Sequence, residues 1–306
     1  MGRRSRISRR SVLKAAVAGA AGLAGVLRSP LAKTAVATDP YSRIVLAKGP
    51  VGYWRLGEAD GPNAFDASGN GYDGNYLGNP AFGQPSAIAN DPDTAIGLNG
   101  PDSMDYIEIL DPEGHPFSQS TSMAGLTVEV WMRPDVLTFR GQTSERYIHW
   151  LGKCVDGSSL CEWGLRFYSL DSPSRPNRIS AYIWNPQGGI GAGAYFQDDL
   201  IEGQWMHIVA VYEPGDKDTD PAAGVHIYRD AVHRQGPPSP GTLYKNYDIV
   251  PAQGTLPVRL GTRDAVISGG ASVSYLTGGL DEVAIYPRML TRDEILENYC
   301  TGSDRC

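Results

Sequence analysis

Short runs of alternating apolar and polar residues, separated by clusters of Gly, Pro, Asn and Asp, limit what this 306-residue chain can fold into. Thr127-Val128-Glu129-Val130-Trp131 alternates, as do Ser180-Ala181-Tyr182-Ile183-Trp184 and Val225-His226-Ile227-Tyr228. A period of two sends successive side chains to opposite faces of a strand, so each run predicts a strand with one buried face. Residues 205–212 are apolar at nearly every position and predict a strand covered on both faces. Residues 280–286 predict another strand. Helical periodicity is confined to 291–299, where Thr291 can cap, Glu294 follows three residues later, and Ile295, Leu296 and Tyr299 line one side. Many short strands punctuated by turns predict an all-β sandwich or barrel. No repeat of solenoid length breaks this pattern, and 214–221 and 235–240 read as loops between strands.

The first 37 residues follow different rules. Arg3, Arg4 and Arg6 precede Ser8-Arg9-Arg10-Ser11-Val12-Leu13-Lys14, an apolar run at 15–27 follows, and Ala35-Val36-Ala37 closes the segment. A basic start, a short apolar middle and an Ala-x-Ala site form the three-part layout of an export leader. The twin arginines resemble a bacterial twin-arginine signal. Thirteen apolar residues fall short of the roughly 20 that span a bilayer. We therefore expect cleavage after Ala37, a mature domain over 38–306, and a secreted protein without stable membrane insertion. Export by that pathway carries folded proteins, so folding should not wait for disulfides.

Charge and cysteines agree with that compartment. Eight of the 27 Lys and Arg lie in residues 1–37, which hold none of the 34 Asp and Glu. The remainder thus has 19 basic residues against 34 acidic ones, a net of −15. Such a body repels polyanions, which argues against nucleic acid as a partner. Four cysteines in an exported chain predict disulfides, and nearest-neighbour pairing gives Cys154–Cys161 and Cys300–Cys306. A four-cysteine zinc site is the alternative, but neither pair has Cys-x-x-Cys spacing.

Five phrases, in order, carry a resemblance. They are Gly52-Tyr53-Trp54-Arg55-Leu56-Gly57-Glu58, Asp66-Ala67-Ser68-Gly69-Asn70-Gly71-Tyr72-Asp73-Gly74, Leu126-Thr127-Val128-Glu129-Val130-Trp131, Trp205-Met206-His207-Ile208-Val209-Ala210-Val211-Tyr212, and Gly279-Leu280-Asp281-Glu282-Val283-Ala284-Ile285-Tyr286 followed by Leu290-Thr291 and Glu294-Ile295. Together they resemble the laminin-G-like, concanavalin A-like jelly-roll family across most of the mature chain. The resemblance implies two antiparallel sheets, one convex and one concave, with ligands at the concave face or the rim loops. Most relatives bind and some are glycoside hydrolases or polysaccharide lyases, so the fold alone does not assign the function.

Asp66, Ser68, Asn70 and Asp73 crowd oxygen donors into one Gly-rich loop, as a hard cation requires. The loop begins like an EF-hand, but its twelfth position is Leu77. The same residues also suit turns that bond only their own backbone. By alternation, Asp281 shares its strand face with Val283 and Ile285, and a carboxylate on an apolar face needs a partner or a metal. Family members often hold a structural calcium between the last strand and the N-terminal loop. By resemblance, Asp66 and Asp281 are expected as ligands, with Asn70 and Asp73 as further donors.

Catalytic patterns are sparse. Neither a Gly-x-Ser-x-Gly elbow nor a His-Glu-x-x-His helix is present. Glycoside hydrolysis needs two carboxylates across the scissile bond, and Glu129 stands without a visible partner. Its alternative role is a structural hydrogen-bonding residue. His207 reads as a satisfied core histidine. Gln142, Arg146, Tyr147 and His149 supply the residue types of the lyases of this fold, but not their phrases.

Aromatic faces that can stack on sugar rings are present. Tyr182 and Trp184 share one face, opposite Ala181 and Ile183. Arg166 and Tyr168 share another, opposite Leu165 and Phe167. Tyr195 follows a Gly-rich stretch, 188–193, read as a turn. These segments fall where family members place concave-face strands, and packing in the core is the competing role. The expected protein is a secreted, non-catalytic module binding an extracellular glycan or cell-surface partner. A polysaccharide hydrolase or lyase is the first alternative, and a protein-adhesion module the second.

Overall fold

The computed structural model describes residues 39–118, 125–141, 143–154, 161–184, 190–215, 223–234, 244–245, 255–263 and 274–306. The expected twin-arginine leader with its expected cleavage after Ala37, Gln142, and positions 188 and 189 lie outside the described residues. The described residues, from Asp39 onward, belong to one compact unit.

Seventeen strands follow one another along the described chain: β1 Gly52–Trp54, β2 Asn63–Ala64, β3 Gly74–Leu77, β4 Ala81–Pro85, β5 Thr94–Asn99, β6 Tyr106–Ile109, β7 Leu126–Pro134, β8 Tyr147–Cys154 and β9 Cys161–Tyr168, then β10 Arg178–Trp184, β11 Ile190–Gln197, β12 Met206–Glu213, β13 Gly224–Arg229, β14 Val232–Arg234, β15 Tyr244–Lys245, β16 Val258–Leu260 and β17 Thr277–Tyr286. Helix α1, Pro40–Ala47, precedes them and α2, Arg292–Ser303, follows. An eight-stranded sheet runs β14-β13-β12-β7-β17-β5-β4, with β1 also paired to β17. A nine-stranded sheet runs β15-β11-β10-β9-β8-β16-β6-β3-β2. The pairings are antiparallel, as the expected sandwich requires.

Alternation builds the core between the sheets. Val128, Val130 and Met132 of β7 and Ile208, Ala210 and Tyr212 of β12 turn inward. They join Leu165 and Phe167 of β9 and Ile179, Ala181 and Ile183 of β10, with Trp54, Trp150 and Trp163 buried among them. Each large side chain of this kind stabilises the fold by about 1.5–3 kcal/mol. The other face of β12 is covered as well: Val209 and Val211 enter a second cluster with Trp131, Ala284 and Tyr286.

That second cluster exists because both helices pack on the outside of the eight-stranded sheet. Helix α2 starts with the expected capping box between Thr291 and Glu294 and runs on to Ser303. Helix α1 was not expected. Asp39 caps it by accepting from Ser42 N at 2.7 Å, and Pro40 occupies its first turn. Eight residues make a marginal helix alone, so its anchor is tertiary: Tyr41 donates to Glu129 at 3.2 Å and accepts from Trp131 Nε1 at 2.9 Å.

One alternation argument fails. In β17, Asp281 pairs with Trp131 and Ala284 pairs with Glu129, so two residues, Glu282 and Val283, oppose Val130 alone. This β-bulge, with Glu282 at φ 52°, inserts one residue. Leu280, Val283 and Ile285 face the core, whereas Ala284 and Tyr286 face outward. Asp281 therefore stands on the helix-covered outer face, opposite to Val283 and Ile285, and not beside them.

Candidate functional site

The outer face of the nine-stranded sheet carries the aromatic and basic residues picked out by alternation. The inward positions of β9 and β10 are apolar, so Gly164, Arg166 and Tyr168, and Ser180, Tyr182 and Trp184, face away from the core. Cross-strand register arranges them in rows. Gly152, Gly164, Tyr182 and Gly193 stand opposite one another across β8, β9, β10 and β11. The next row is His149, Arg166, Ser180 and Tyr195. Beyond it, Tyr147 pairs with Tyr168 and Arg178 with Gln197. Three of the first row's four positions are glycines, so that row is a shallow trough in the sheet, into which Trp184, Arg166 and the Cys154–Cys161 pair pack around the buried Tyr182 ring; a Cβ at Gly164 would lie 3.6 Å from Trp184 Cζ3.

The second row lines that trough with stacked planes. Arg166 lies 4.4 Å from the Tyr147 ring, 4.7 Å from Tyr182 and 5.8 Å from Trp184. Arg178 lies 3.8 Å from the Tyr195 ring, and Arg175 lies 5.5 Å from that of Tyr168. Cation–π contact holds each guanidinium over an aromatic ring. Arg166 Nε donates to His149 Nε2 at 2.6 Å, and Arg175 donates to the Tyr168 hydroxyl at 3.0 Å. Arg178 donates twice to Gln197 Oε1. Arg166, Arg175, Arg178, Tyr147 and Tyr195 are partly exposed; His149, Tyr168, Tyr182 and Trp184 are buried.

The titrating groups of the face feel its positive charge. Burial, then Arg263 and Arg166, hold the His149 imidazole well below its ordinary value, so it stays neutral. Burial pushes the Tyr168 hydroxyl up, but the charge of Arg166 and the bonds it receives prevail and leave it below the ordinary tyrosine value. Tyr182 is pushed up to about 12 by burial and by Tyr168.

All five expected ligand residues, Arg166, Tyr168, Tyr182, Trp184 and Tyr195, thus lie on one sheet face. Two details differ from expectation. The Gly-rich stretch before Tyr195 is strand from Ile190 onward, so Gly193 is part of the trough floor and not of a turn. Tyr147, His149, Arg175 and Arg178 also belong to the face, and Gly152 and Gly164 shape it. Their signal is cross-strand register, which a single run does not display.

The expected disulfides are formed, Cys154–Cys161 and Cys300–Cys306. The first packs with Tyr182 and Trp184, so it supports the trough wall.

The acidic residues lie on the other side of the sandwich. Asp66 Oδ1 accepts from Tyr53 N and Ser68 N, and Oδ2 from the Ser68 hydroxyl and Tyr72 N, at 2.8–3.0 Å. Asp73 accepts from Asp66 N, and Asn70 donates to Val51 O and Ser68 Oγ. Four donors saturate the Asp66 carboxylate, so it does not fit a calcium ion as a ligand. Asp281 Oδ2 accepts from Ser86 Oγ and Ala87 N, while Oδ1 is buried with no donor among the described residues. Burial pushes Asp281 up to about 8, with the charge of Asp93 adding to it. Among the described residues, no three His, Cys, Asp or Glu side chains gather as a metal site. The cation that does sit nearby is the Arg55 guanidinium, 2.8–3.1 Å from Asp39, Asp91, Asp93 and Glu282.

Glu129 is a structural carboxylate, the alternative weighed above. It is fully buried beneath α1 and α2 and accepts from Tyr41, His207, Tyr286 and Asn298. Burial works against its charge, but the bond and charge of His207 win and hold it below the ordinary glutamate value. His207 is equally buried, its ring 4.9 Å from that of Trp131. A cavity of about 350 Å³ opens beside them, lined by Trp131, Trp205, Tyr299, Gln204, Asp230 and Arg305 among others.

Residues 102–296 match the family model of the concanavalin A-like lectin/glucanases superfamily. No curated protein matches the chain in sequence. Among solved structures, the fold is similar to that of botulinum neurotoxin type C, whose cell entry is described as dependent on interaction with two ganglioside molecules (TM-score 0.55, 9% identity, 84% of this chain and 52% of that chain covered). It is also similar to the binding domain of botulinum neurotoxin DC in complex with SialylT (0.54, 10%, 83% and 52%). A third match is domain 4 of a GH43 extracellular arabinanase from Geobacillus stearothermophilus in complex with arabinotriose (0.48, 17%, 82% and 98%). The chain spans about half the length of the neurotoxin chains it matches. At these identities the likeness is one of fold.

Proposed function

The chain belongs to the concanavalin A-like lectin/glucanases superfamily, and from that premise we propose that it is a secreted, non-catalytic module that binds carbohydrate on the grooved face of its nine-stranded sheet. One observation carries this reading: a glycine row crosses four strands beneath Trp184 and Tyr182, and Tyr147, Arg166 and Tyr195 stand beside it with their side chains partly exposed. Flat aromatic faces suit the C–H face of a sugar ring, and nearby polar groups orient it. Export belongs to the same proposal and rests on Arg9-Arg10 and the Ala-x-Ala site. No described helix is long and apolar enough to cross a membrane. A pull-down of the mature protein on immobilised polysaccharides, with released sugar assayed in parallel, tests the reading. Retention without sugar release supports it. Failure on every glycan overturns it and brings protein adhesion forward.

A structural cation enters the proposal at Asp281 and not at the Asp66 loop, because Asp281 Oδ1, unlike the oxygens of Asp66, is buried without a donor among the described residues. With one carboxylate, such a site would rely on backbone or solvent oxygens, which calcium accepts. A calcium-dependent rise in melting temperature after EDTA treatment, absent in Asp281→Asn, tests it.

One observation favours a second reading, an eliminating polysaccharide lyase. Neutral His149, Arg166 and the low-set hydroxyl of Tyr168 share the grooved face. Release of unsaturated sugar ends from a polysaccharide would decide for it. A hydrolase is less well served, since Glu129 is structural.

A further inference from the structure

We infer that the glycan held on this face carries carboxylate groups, and that Arg166, Arg175 and Arg178 read them; this rests on the glycan-binding reading above. None of these three arginines forms an ion pair with a described carboxylate. Arg133, Arg146, Arg229, Arg259 and Arg288 all do so.

The acids nearest the face are already engaged. Asp171 pairs with Arg146, Glu108 with Arg259 at 2.8 Å, and Glu162 with Lys153 at 2.7 Å. Glu145, whose field reaches Arg175, is held by the hydroxyls of Ser172 and Ser174. Arg166 and Arg178 are thus left without a carboxylate partner among the described residues, whereas the charge of Glu145 offsets part of that of Arg175.

Ring contacts and the bonds from Arg166 Nε to His149, from Arg175 to Tyr168 and from Arg178 Nε and Nη2 to Gln197 hold the guanidiniums in place, and their remaining N–H groups can form forks. A planar fork matches a carboxylate through two parallel charge-assisted hydrogen bonds. Arg166 and Arg178 stand on neighbouring strands in adjacent rows. They therefore suit a ligand with negative charges repeated along an extended chain, as in a polymer of uronic acids. The acidic remainder of the protein repels longer-range polyanions and so confines recognition to this face.

The test uses affinity electrophoresis of the mature protein through gels containing polygalacturonate, its methyl-esterified form, a neutral glucan or dextran sulfate. Retardation by polygalacturonate, at least about tenfold stronger than by the methyl ester, is expected, with Arg166→Gln and Arg178→Gln each weakening it by a similar factor. Arg178→Lys, which keeps the charge and loses the fork, should be weakened nearly as much. Unchanged melting temperatures for the Arg178 variants separate lost recognition from lost folding. Equal retardation by the ester or by neutral glucan, indifferent to both variants, overturns the inference while the glycan-binding reading stands. A preference for dextran sulfate over polygalacturonate also overturns it. No retardation in any gel overturns the glycan-binding reading itself.

Discussion

Asn298 donates its side-chain amide to both carboxylate oxygens of Glu129, at 3.0 and 2.9 Å. The contact ties α2 to the middle of β7, and Tyr41 ties α1 to the same carboxylate. Glu129→Gln leaves these buried donors without their charged acceptor. We expect it to lower the unfolding free energy by about 3 kcal/mol or more in urea titrations. Glycan retention by the folded fraction should be unchanged, because the trough lies on the opposite side of the sandwich.

Arg55 neutralises part of a buried acidic cluster, since its guanidinium contacts Asp39, Asp91, Asp93 and Glu282. Arg55→Met keeps the stem and removes the charge, leaving those carboxylates facing one another. Destabilisation of about 3–5 kcal/mol is expected. The loss should be partly reversed at acid pH, where the carboxyls protonate, and melting curves across pH check this.

Glu294 is held at about 2, first by hydrogen bonds from Arg288 and then by those of the capping box. A depressed carboxylate stabilises the fold above its unfolded value, 4.5, and that contribution fades as pH falls from there toward 2. The group is partly exposed, so the effect is small and salt-sensitive. Glu294→Gln should flatten this part of the stability–pH curve at low ionic strength and leave neutral-pH ligand binding intact.

The two disulfides should behave differently. Both close small loops, with sequence separations of 7 and 6, so each double Cys→Ser variant should cost about 2–3 kcal/mol. Loss of Cys154–Cys161 should also weaken glycan retention, since this pair packs against Tyr182 and Trp184. Loss of Cys300–Cys306 should not.

Gly164→Val tests the trough directly. A Cβ there meets the Leu151 carbonyl at 3.3 Å and Trp184 Cζ3 at 3.6 Å, so the β-carbon fits and the two γ-methyls of valine press on Trp184. The branched side chain then stands beside Tyr182. Glycan retention should fall at least tenfold while circular dichroism and cooperative unfolding persist.

Strands were legible in the sequence wherever alternation is local, as at residues 127–131 and 180–184, and so were the outward residues Arg166, Tyr168, Tyr182 and Trp184. The capping box of α2 was legible for the same reason. Asp281 was misplaced because a single extra residue at Glu282 reverses the parity of the strand. Helix α1 escaped notice because its stability comes from Tyr41 contacting residues 88 and 90 positions away. The trough was invisible for a related reason. Gly152, Gly164 and Gly193 have no shared pattern along the chain and meet only through the register of four strands.

Helices α1 and α2 both rest on the back of the eight-stranded sheet, where Lys48 also pairs with Glu297 at 2.6 Å. Asp39 and the final turn of α2 therefore share the side of the molecule that turns away from the trough. A molecule tethered near either place, to a support or to a surface, would hold its grooved sheet outward, free to sweep along a long polymer without steric interference from its own attachment.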